Sequence, residues 1–417
     1  MSEAAQLLVS MLDELGHITD EPGRLTRTFL SPGMQRANRL VGDCMKAAGL
    51  QVRVDTVGNL IGRLESANPK AKTLLLGSHL DTVRDAGRFD GPLGVVLPIV
   101  ALADLKVRGV QLPFHVEVLG FSEEEGVRFA SAYLGSKGYC GKLTARDLTM
   151  RDADGISVGE AIERWNGLPS SRSGKRVEGN ALHPKRGDLL GYVEVHIEQG
   201  PVLEAKKLAV GVVSAIAGQS RFKLTWTGKA GHAGTTPMAL RRDALAAAAE
   251  FITGIEAIAR RRPGLVATVG ALTVEPGAAN VIPGSVIHSL DVRHADDRVR
   301  RAALMDIGRL ATKIADRRKI ERRWQRTQEN AAVKCSRELT ARLEQSVQAV
   351  QGKSLSLVSG AGHDGVVMSA LTPVAMLFVR CRDGLSHHPD EYASPKDLAV
   401  ALAVVTDFLE RFADEHG

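Results

Sequence analysis

Five short segments place imidazole and carboxylate groups where loops can present them together. They are GSHLDTV with His79 and Asp81, FDGPLG with Asp90, SEEEGVRF with Glu124 and Glu125, EVHIEQG with His196, and GLSHHPDEY with His387 and His388. A hydrolytic centre with two divalent ions needs about five protein ligands. One is a carboxylate shared by ions about 3.5–4 Å apart, and positions stay open for water. Imidazole nitrogen and carboxylate oxygen are donors that Zn²⁺ and Mn²⁺ accept. His79, Asp90, Glu125, His196 and His387 meet that requirement, with Asp90 as the shared carboxylate. Glu124 is then the natural acid–base group, taking a proton from the attacking water and passing it to the leaving nitrogen. Asp81, two residues beyond His79, is placed to hold that imidazole. Taken singly, each segment has an ordinary reading: a strand histidine, a solvated acidic turn, a His-His-Pro surface turn. The case for chemistry rests on all five together.

The elements that must position these groups alternate between strand-like and helix-like patterns. MQRANRLVGDCMKAAG has helical apolar spacing, VRVDTVGNLIGRL reads as a hairpin around Gly58–Asn59, and TLLLGSHLD reads as a buried strand with a polar end. LGVVLPIVALADLKV reads as a helix and FHVEVLGFSEEEG as a strand ending in acids. This alternation predicts an α/β fold with a mostly parallel central sheet flanked by helices, its site at the carboxyl ends of the strands. Residues 151–190 are expected to form a helix over Val158 to Trp165 plus long loops, before GYVEVHIEQGPVLE returns as a strand. Between about 211 and 327 the rhythm changes to β-α-β-β-α, which predicts a smaller inserted α+β sandwich. The second helix of that insert is expected to run through RRKIERRW. From about 328 the α/β pattern resumes, with the strand VAMLFVRCRDG and a closing helix over PKDLAVALAVVTDFLERFADEHG. The expected division is therefore 1–211 and 328–417 for the catalytic domain and 212–327 for the insert. Hinges are expected near Gly211–Ser214 and Arg326–Asn330.

Composition narrows the function classes. The 417 residues are 44% hydrophobic and 24% charged, as in a globular protein, and are too many for one core. Net charge is +6, which suits a small anionic substrate. The densest basic run, Arg317 to Arg326, has Trp324 as its one aromatic and reads as a solvated face, so no nucleic acid is expected. Four scattered cysteines without a CxxC pair indicate reduced thiols and a cytoplasmic protein. The N-terminus lacks a basic leader region and reads as an amphipathic helix. The apolar stretch from Leu93 to Leu105 is too short to cross a bilayer, so no membrane partner is expected.

Over nearly the whole chain these segments resemble the di-zinc M20 peptidase family. Within it they resemble the branch that holds allantoate amidohydrolases, N-carbamoyl-L-amino-acid hydrolases and β-ureidopropionases. GSHLDTV, FDGPLG, EEEGVRF, VHIEQGPVLE, GHAGTTPM, NVIPG, DVRH, SGAGHDG and GLSHHPDEY follow the family's order. His196 is part of that signal, since peptidase relatives usually carry an acid there. The resemblance implies one ion on His79, Asp90 and His196 and another on Asp90, Glu125 and His387. The ions would be Zn²⁺ or Mn²⁺, with Co²⁺ or Ni²⁺ as alternatives. Where the family often has SHNP this chain has SHHP, which leaves His388 as an alternative ligand; His387, directly after Ser386, is preferred.

The resemblance further implies that His232 polarises the scissile carbonyl, often across a dimer interface. It implies that Arg293 forks onto the substrate carboxylate, a geometry that guanidinium suits. Gln199 and Asn280 are implied as hydrogen-bond partners of the substrate. Gly362, His363 and Asp364 belong to a segment expected to shape the floor of the site. A homodimer through the insert, acting as lid and dimerisation domain, is also implied. TRTFLSP, the DTVRDAGRFDG spacing and MLFVRCRDGLSH resemble the allantoate group more than the carbamoylases, so the expected reaction is hydrolysis of a ureido C–N bond of allantoate. N-carbamoyl amino acids are the alternative substrates, and aminopeptidase activity is a third reading.

Overall fold

The computed structural model describes residues 2–167 and 184–416, and most of the long-loop segment expected within 151–190 lies outside them. The chain divides into two compact units, Met1–Ser214 with Cys335–Gly417 and Ala215–Lys334.

The larger unit is built on a mixed sheet. Its strands run in the order Gln51–Val54, Leu60–Leu64, His115–Phe121, Thr73–His79, Leu189–Ile197, Val374–Val379 and Val210–Ile216, with Ser356–Ser359 also against the last. The four central strands, from His115–Phe121 to Val374–Val379, are mutually parallel. The flanks are antiparallel, so the sheet is mixed, with the expected parallel strands at its centre and helices on its faces. On one side the cause is the hairpin over Asp55–Asn59, where Asp55 exchanges backbone bonds with Asn59 and Gly58. The central strands are buried along their length except at Leu190, as strands covered on both faces must be. The helix Pro92–Val107 is apolar all round and buried against them from Pro92 to Leu102, in a core that also takes in Glu3–Gly16 and Pro395–Asp414. Ser394 caps the last of these helices by accepting from the Asp397 amide.

In the smaller unit an antiparallel sheet runs Leu272–Glu275, Ser285–His294, Gly218–Thr227, Glu321–Asn330, with Val266–Thr268 also on Ser285–His294. Alternate residues Val286, Leu290 and Val292, with Leu224 and Trp226, pack against the helices Ala244–Arg260 and Asp297–Arg318. The expected helix through RRKIERRW is corrected here. It stops at Lys319, in the left-handed region with φ 54°, where the Ile320 amide returns to the Ala315 carbonyl. Residues Glu321–Asn330 form a strand instead, because Trp324 packs edge-on against Phe222 and Phe251. This strand carries the unit past the expected boundary at 327. It also puts the expected hinge at Arg326–Asn330 inside a ladder, and Gly211–Ser214 likewise lies inside the strand Val210–Ile216. Arg317 and Arg318 of the basic run both pair with Glu250. Among the described residues no helix is long and apolar enough to cross a membrane.

Candidate metal centre

The carboxyl ends of the four parallel strands carry the site. His79 ends one strand, Ser122–Glu125 follow another, His196 sits near the end of the third, and His387 lies on the loop after the fourth. Asp90 lies just before Gly91, the N-cap of the helix Pro92–Val107, whose positive end favours a carboxylate. Close approach explains the glycines of FDGPLG. At Gly91 (φ 84°) a Cβ would lie 2.4 Å from the His79 ring, and at Gly94 it would lie 2.2 Å from the Val195 carbonyl oxygen. Only glycine lets this helix press against the two strands that bear His79 and His196.

Three groups of donors converge: His79, Asp90 and His196; Asp90, Glu125 and His387; and His79, Glu124 and Glu125. Within each group the ligand atoms lie within 4.8 Å of one another. The first two groups share Asp90. Its Oδ1 faces His196 Nε2 (3.1 Å) and His79 Nε2 (3.6 Å), while its Oδ2 faces His387 Nε2 (3.3 Å). His387 also lies 3.5 Å from Glu125 Oε1. His388 turns instead to Asp390, whose backbone amide donates to its Nδ1. Nitrogen and oxygen donors, three per group with one shared carboxylate, fit two divalent ions.

Asp81 works twice. Its backbone oxygen faces His79 Nδ1 at 3.0 Å, and its carboxylate accepts from the amides of Glu124 (3.0 Å) and Glu125 (3.1 Å). Beneath this turn lies Arg27, fully buried, donating to the carbonyls of Leu80, Leu15 and Ile18. The crowding of acids shifts their proton affinities. Burial, then Glu125, pushes the Glu124 carboxyl well above the usual range, and burial, then Asp90, pushes Glu125 up to about 7. Burial works against ionised Asp90, yet His196, His387 and His79 hold it well below the usual range.

The remaining expected residues fall into two sets. Gln199, with φ 55°, turns its amide nitrogen onto Asp90 Oδ2 (2.8 Å) and Ser386 Oγ (3.1 Å), so here it meets the centre itself. His363 is buried, faces Ser359 Oγ at 2.7 Å and packs edge-on against His196 with ring centroids 4.5 Å apart. A Cβ on Gly362 would strike the Tyr133 hydroxyl, and Asp364 is buried beside them. His232, Asn280 and Arg293 belong to the smaller unit. The pair Gly231–His232 is bonded to Val281–Ile282, and Ala233 donates to the Asn280 carbonyl. Arg293 forks onto Asp291 with contacts of 3.0 and 2.8 Å.

Sequence reasoning missed Glu391, in the same GLSHHPDEY segment. It is buried, and its Oε1 accepts from the amides of Phe89 (2.9 Å) and Asp90 (3.1 Å). The one signal was position, four residues after His387 in a segment already singled out.

The model of "Peptidase family M20/M25/M40" matches residues 75–411. Allantoate deiminase 2 of Glycine max is 40% identical over 434 residues, covering 97% of this chain and 89% of the relative. The N-carbamoyl-L-amino acid amidohydrolase of Geobacillus stearothermophilus is 42% identical over 395 residues, covering 94% and 95%. A hydantoinase/carbamoylase family amidase from Burkholderia multivorans superposes with a TM-score of 0.89 at 32% identity, covering 98% and 97%. With a family match over most of its length and relatives of this identity across nearly all of it, the chain belongs to peptidase family M20/M25/M40.

Proposed function

We propose that this protein is a two-ion amidohydrolase that cleaves a ureido C–N bond of a small carboxylate-bearing substrate, and that the substrate is allantoate. The observation that carries the reading is the pair of donor groups sharing Asp90, with buried Glu124 beside them. His79, Asp90 and His196 would hold one Zn²⁺ or Mn²⁺, and Asp90, Glu125 and His387 the other, with Co²⁺ or Ni²⁺ as alternatives. Bound there, the ions supply Lewis acidity toward water and the scissile carbonyl. Glu124 takes a proton from the attacking water as its oxygen bonds to the ureido carbon, and returns it to the leaving nitrogen. Its raised proton affinity suits a group that must hold the proton between the two steps. Asp81 keeps His79 and the Glu124–Glu125 turn in register. From allantoate and water the products are ureidoglycine, ammonia and carbon dioxide.

In this reading His232 stabilises the charge developing on the carbonyl oxygen. Arg293 exchanges its fork on Asp291 for the substrate carboxylate. Gln199, Asn280, Gly362 and His363 complete the substrate contacts. The protein acts as a cytoplasmic homodimer joined through the smaller unit, and its four unpaired cysteines suit a reducing compartment. Light scattering of the purified protein tests the dimer.

Allantoate is supported by the 40% identical Glycine max deiminase, and a second reading, hydrolysis of N-carbamoyl-L-amino acids, by the 42% identical Geobacillus enzyme. Ammonia release from allantoate, measured beside that from N-carbamoyl amino acids with Mn²⁺ present, separates them. Turnover of the carbamoyl amino acids without turnover of allantoate would replace the first reading with the second.

A further inference from the structure

The two donor groups are anchored differently. His79 and His196 project from the ends of buried strands, and each turns Nδ1 to a backbone carbonyl 3.0 Å away, on Asp81 and Ile197. Their rings are fixed before any ion arrives. His387 sits on a loop, with its side chain 50% exposed and its backbone at φ 57°. A non-glycine residue holds that conformation only where its surroundings impose it.

The surroundings converge on Glu391. One carboxylate oxygen accepts from the amides of Phe89 and Asp90, fixing the loop that carries the shared aspartate. The other lies 3.3 Å from Ser386 Oγ, and that hydroxyl donates to Asp90 Oδ2 at 2.6 Å. The Glu391 amide itself donates to the His388 carbonyl, closing the loop that presents His387. Gly87 lets the first loop close on this carboxylate, since a Cβ there would lie 2.3 Å from the Glu391 side chain. A single buried acid therefore ties together two loops that lie about three hundred positions apart in sequence.

We propose that Glu391 is a positioning residue for the Asp90–Glu125–His387 group, so that its loss weakens the ion held there far more than the ion held by His79, Asp90 and His196. The proposal rests on the two-ion reading above. Asp90 is common to both groups, but the first keeps two ring-fixed histidines when the Asp90 loop loosens. The second group loses the register of both loops that build it. Partners of this kind are worth roughly 10–100-fold in metal affinity.

The test is titration of metal-free protein with Mn²⁺, followed by calorimetry and by electron paramagnetic resonance, which distinguishes a lone ion from a spin-coupled pair. Wild type is expected to take two ions per chain. Glu391→Ala is expected to hold one ion with near wild-type affinity, weaken the other by roughly 10–100-fold and lose the coupled signal at limiting Mn²⁺. Glu391→Gln, whose amide oxygen still accepts from both backbone amides, is expected to restore the pair. Ser386→Ala leaves the buried acid in place and removes the hydroxyl that joins it to the Asp90 carboxylate. Only the link to the Asp90 carboxylate is lost, since the Asp90 amide still donates to Glu391, so a smaller loss is expected at the same ion, and this variant carries the test if Glu391→Ala does not fold. Equal weakening of both ions, weakening of neither, or a Gln variant no better than Ala overturns the proposal while leaving the two-ion reading intact. A wild type that binds fewer than two ions overturns that reading and the proposal with it.

Discussion

The residues expected to act lie in two different settings. In the larger unit most of them are buried and hold one another, with His387 on its loop the exposed exception: His79 and His196 are each 2% exposed, Asp90 4%, and Asp81 is bonded to both the histidine turn and the acidic turn. In the smaller unit His232 and Asn280 are exposed and Arg293 is half-buried on Asp291. The difference follows from the work assigned to each. Acids packed this closely raise one another's proton affinity, so a fold that buries them must fix their positions with backbone donors and histidines. Groups proposed to meet a diffusing anion need no such cage, and Arg293 is held by its neighbour Asp291.

Four substitutions can break or sharpen this contrast. The largest effect is expected for Glu124→Gln, which should lower kcat by roughly 10²–10⁴-fold while KM and ion content stay near wild type. Steady-state kinetics with elemental analysis reads all three, and a change confined to ion content would make Glu124 a ligand instead of a base. Next comes Trp226→Ala in the core of the smaller unit. It should cost about 3–5 kcal/mol of that unit's stability, seen as an earlier melting transition. Metal affinity measured below that transition should not move, because every donor lies in the larger unit. Third, Arg293→Ala should raise KM by roughly 10–100-fold, the worth of about 1.5–3 kcal/mol for a charged hydrogen-bonded contact, with little change in kcat. A kcat loss at unchanged KM would move Arg293 from binding to chemistry. The smallest is His388→Ala, expected to stay within about twofold in activity and ion content, because that ring turns to Asp390.

How far the sequence announced this arrangement depends on the kind of signal. TLLLGSH announces a buried strand because its residues are apolar or small up to the closing histidine, and HVEVLGF because its β-branched and apolar residues run up to an acidic turn. FDGPLG announces a turn into a helix through its glycines and proline. The smaller unit's final strand was hidden, because RRKIERRW has helix-forming composition and only the long-range packing of Trp324 against Phe222 and Phe251 decides otherwise. Antiparallel flanks were hidden for a similar reason, since strand direction is set by partners far off in sequence. Glu391 was hidden because an acid after His-His-Pro-Asp looks like any surface turn, and its partners, Phe89 and Asp90, are remote in the chain. Gln199 shows the converse: its place beside the histidine strand was legible, but its bond to Asp90 depends on a backbone turn with φ 55° that composition does not reveal.

The central claim is that ions held at the shared aspartate drive ureido cleavage. Its most direct test is ammonia release from allantoate by chelator-stripped protein titrated with Mn²⁺. The account predicts no release from the stripped protein and full release once two ions per chain are bound. Release that persists after stripping, or no release from allantoate or any N-carbamoyl amino acid at full loading, would contradict it.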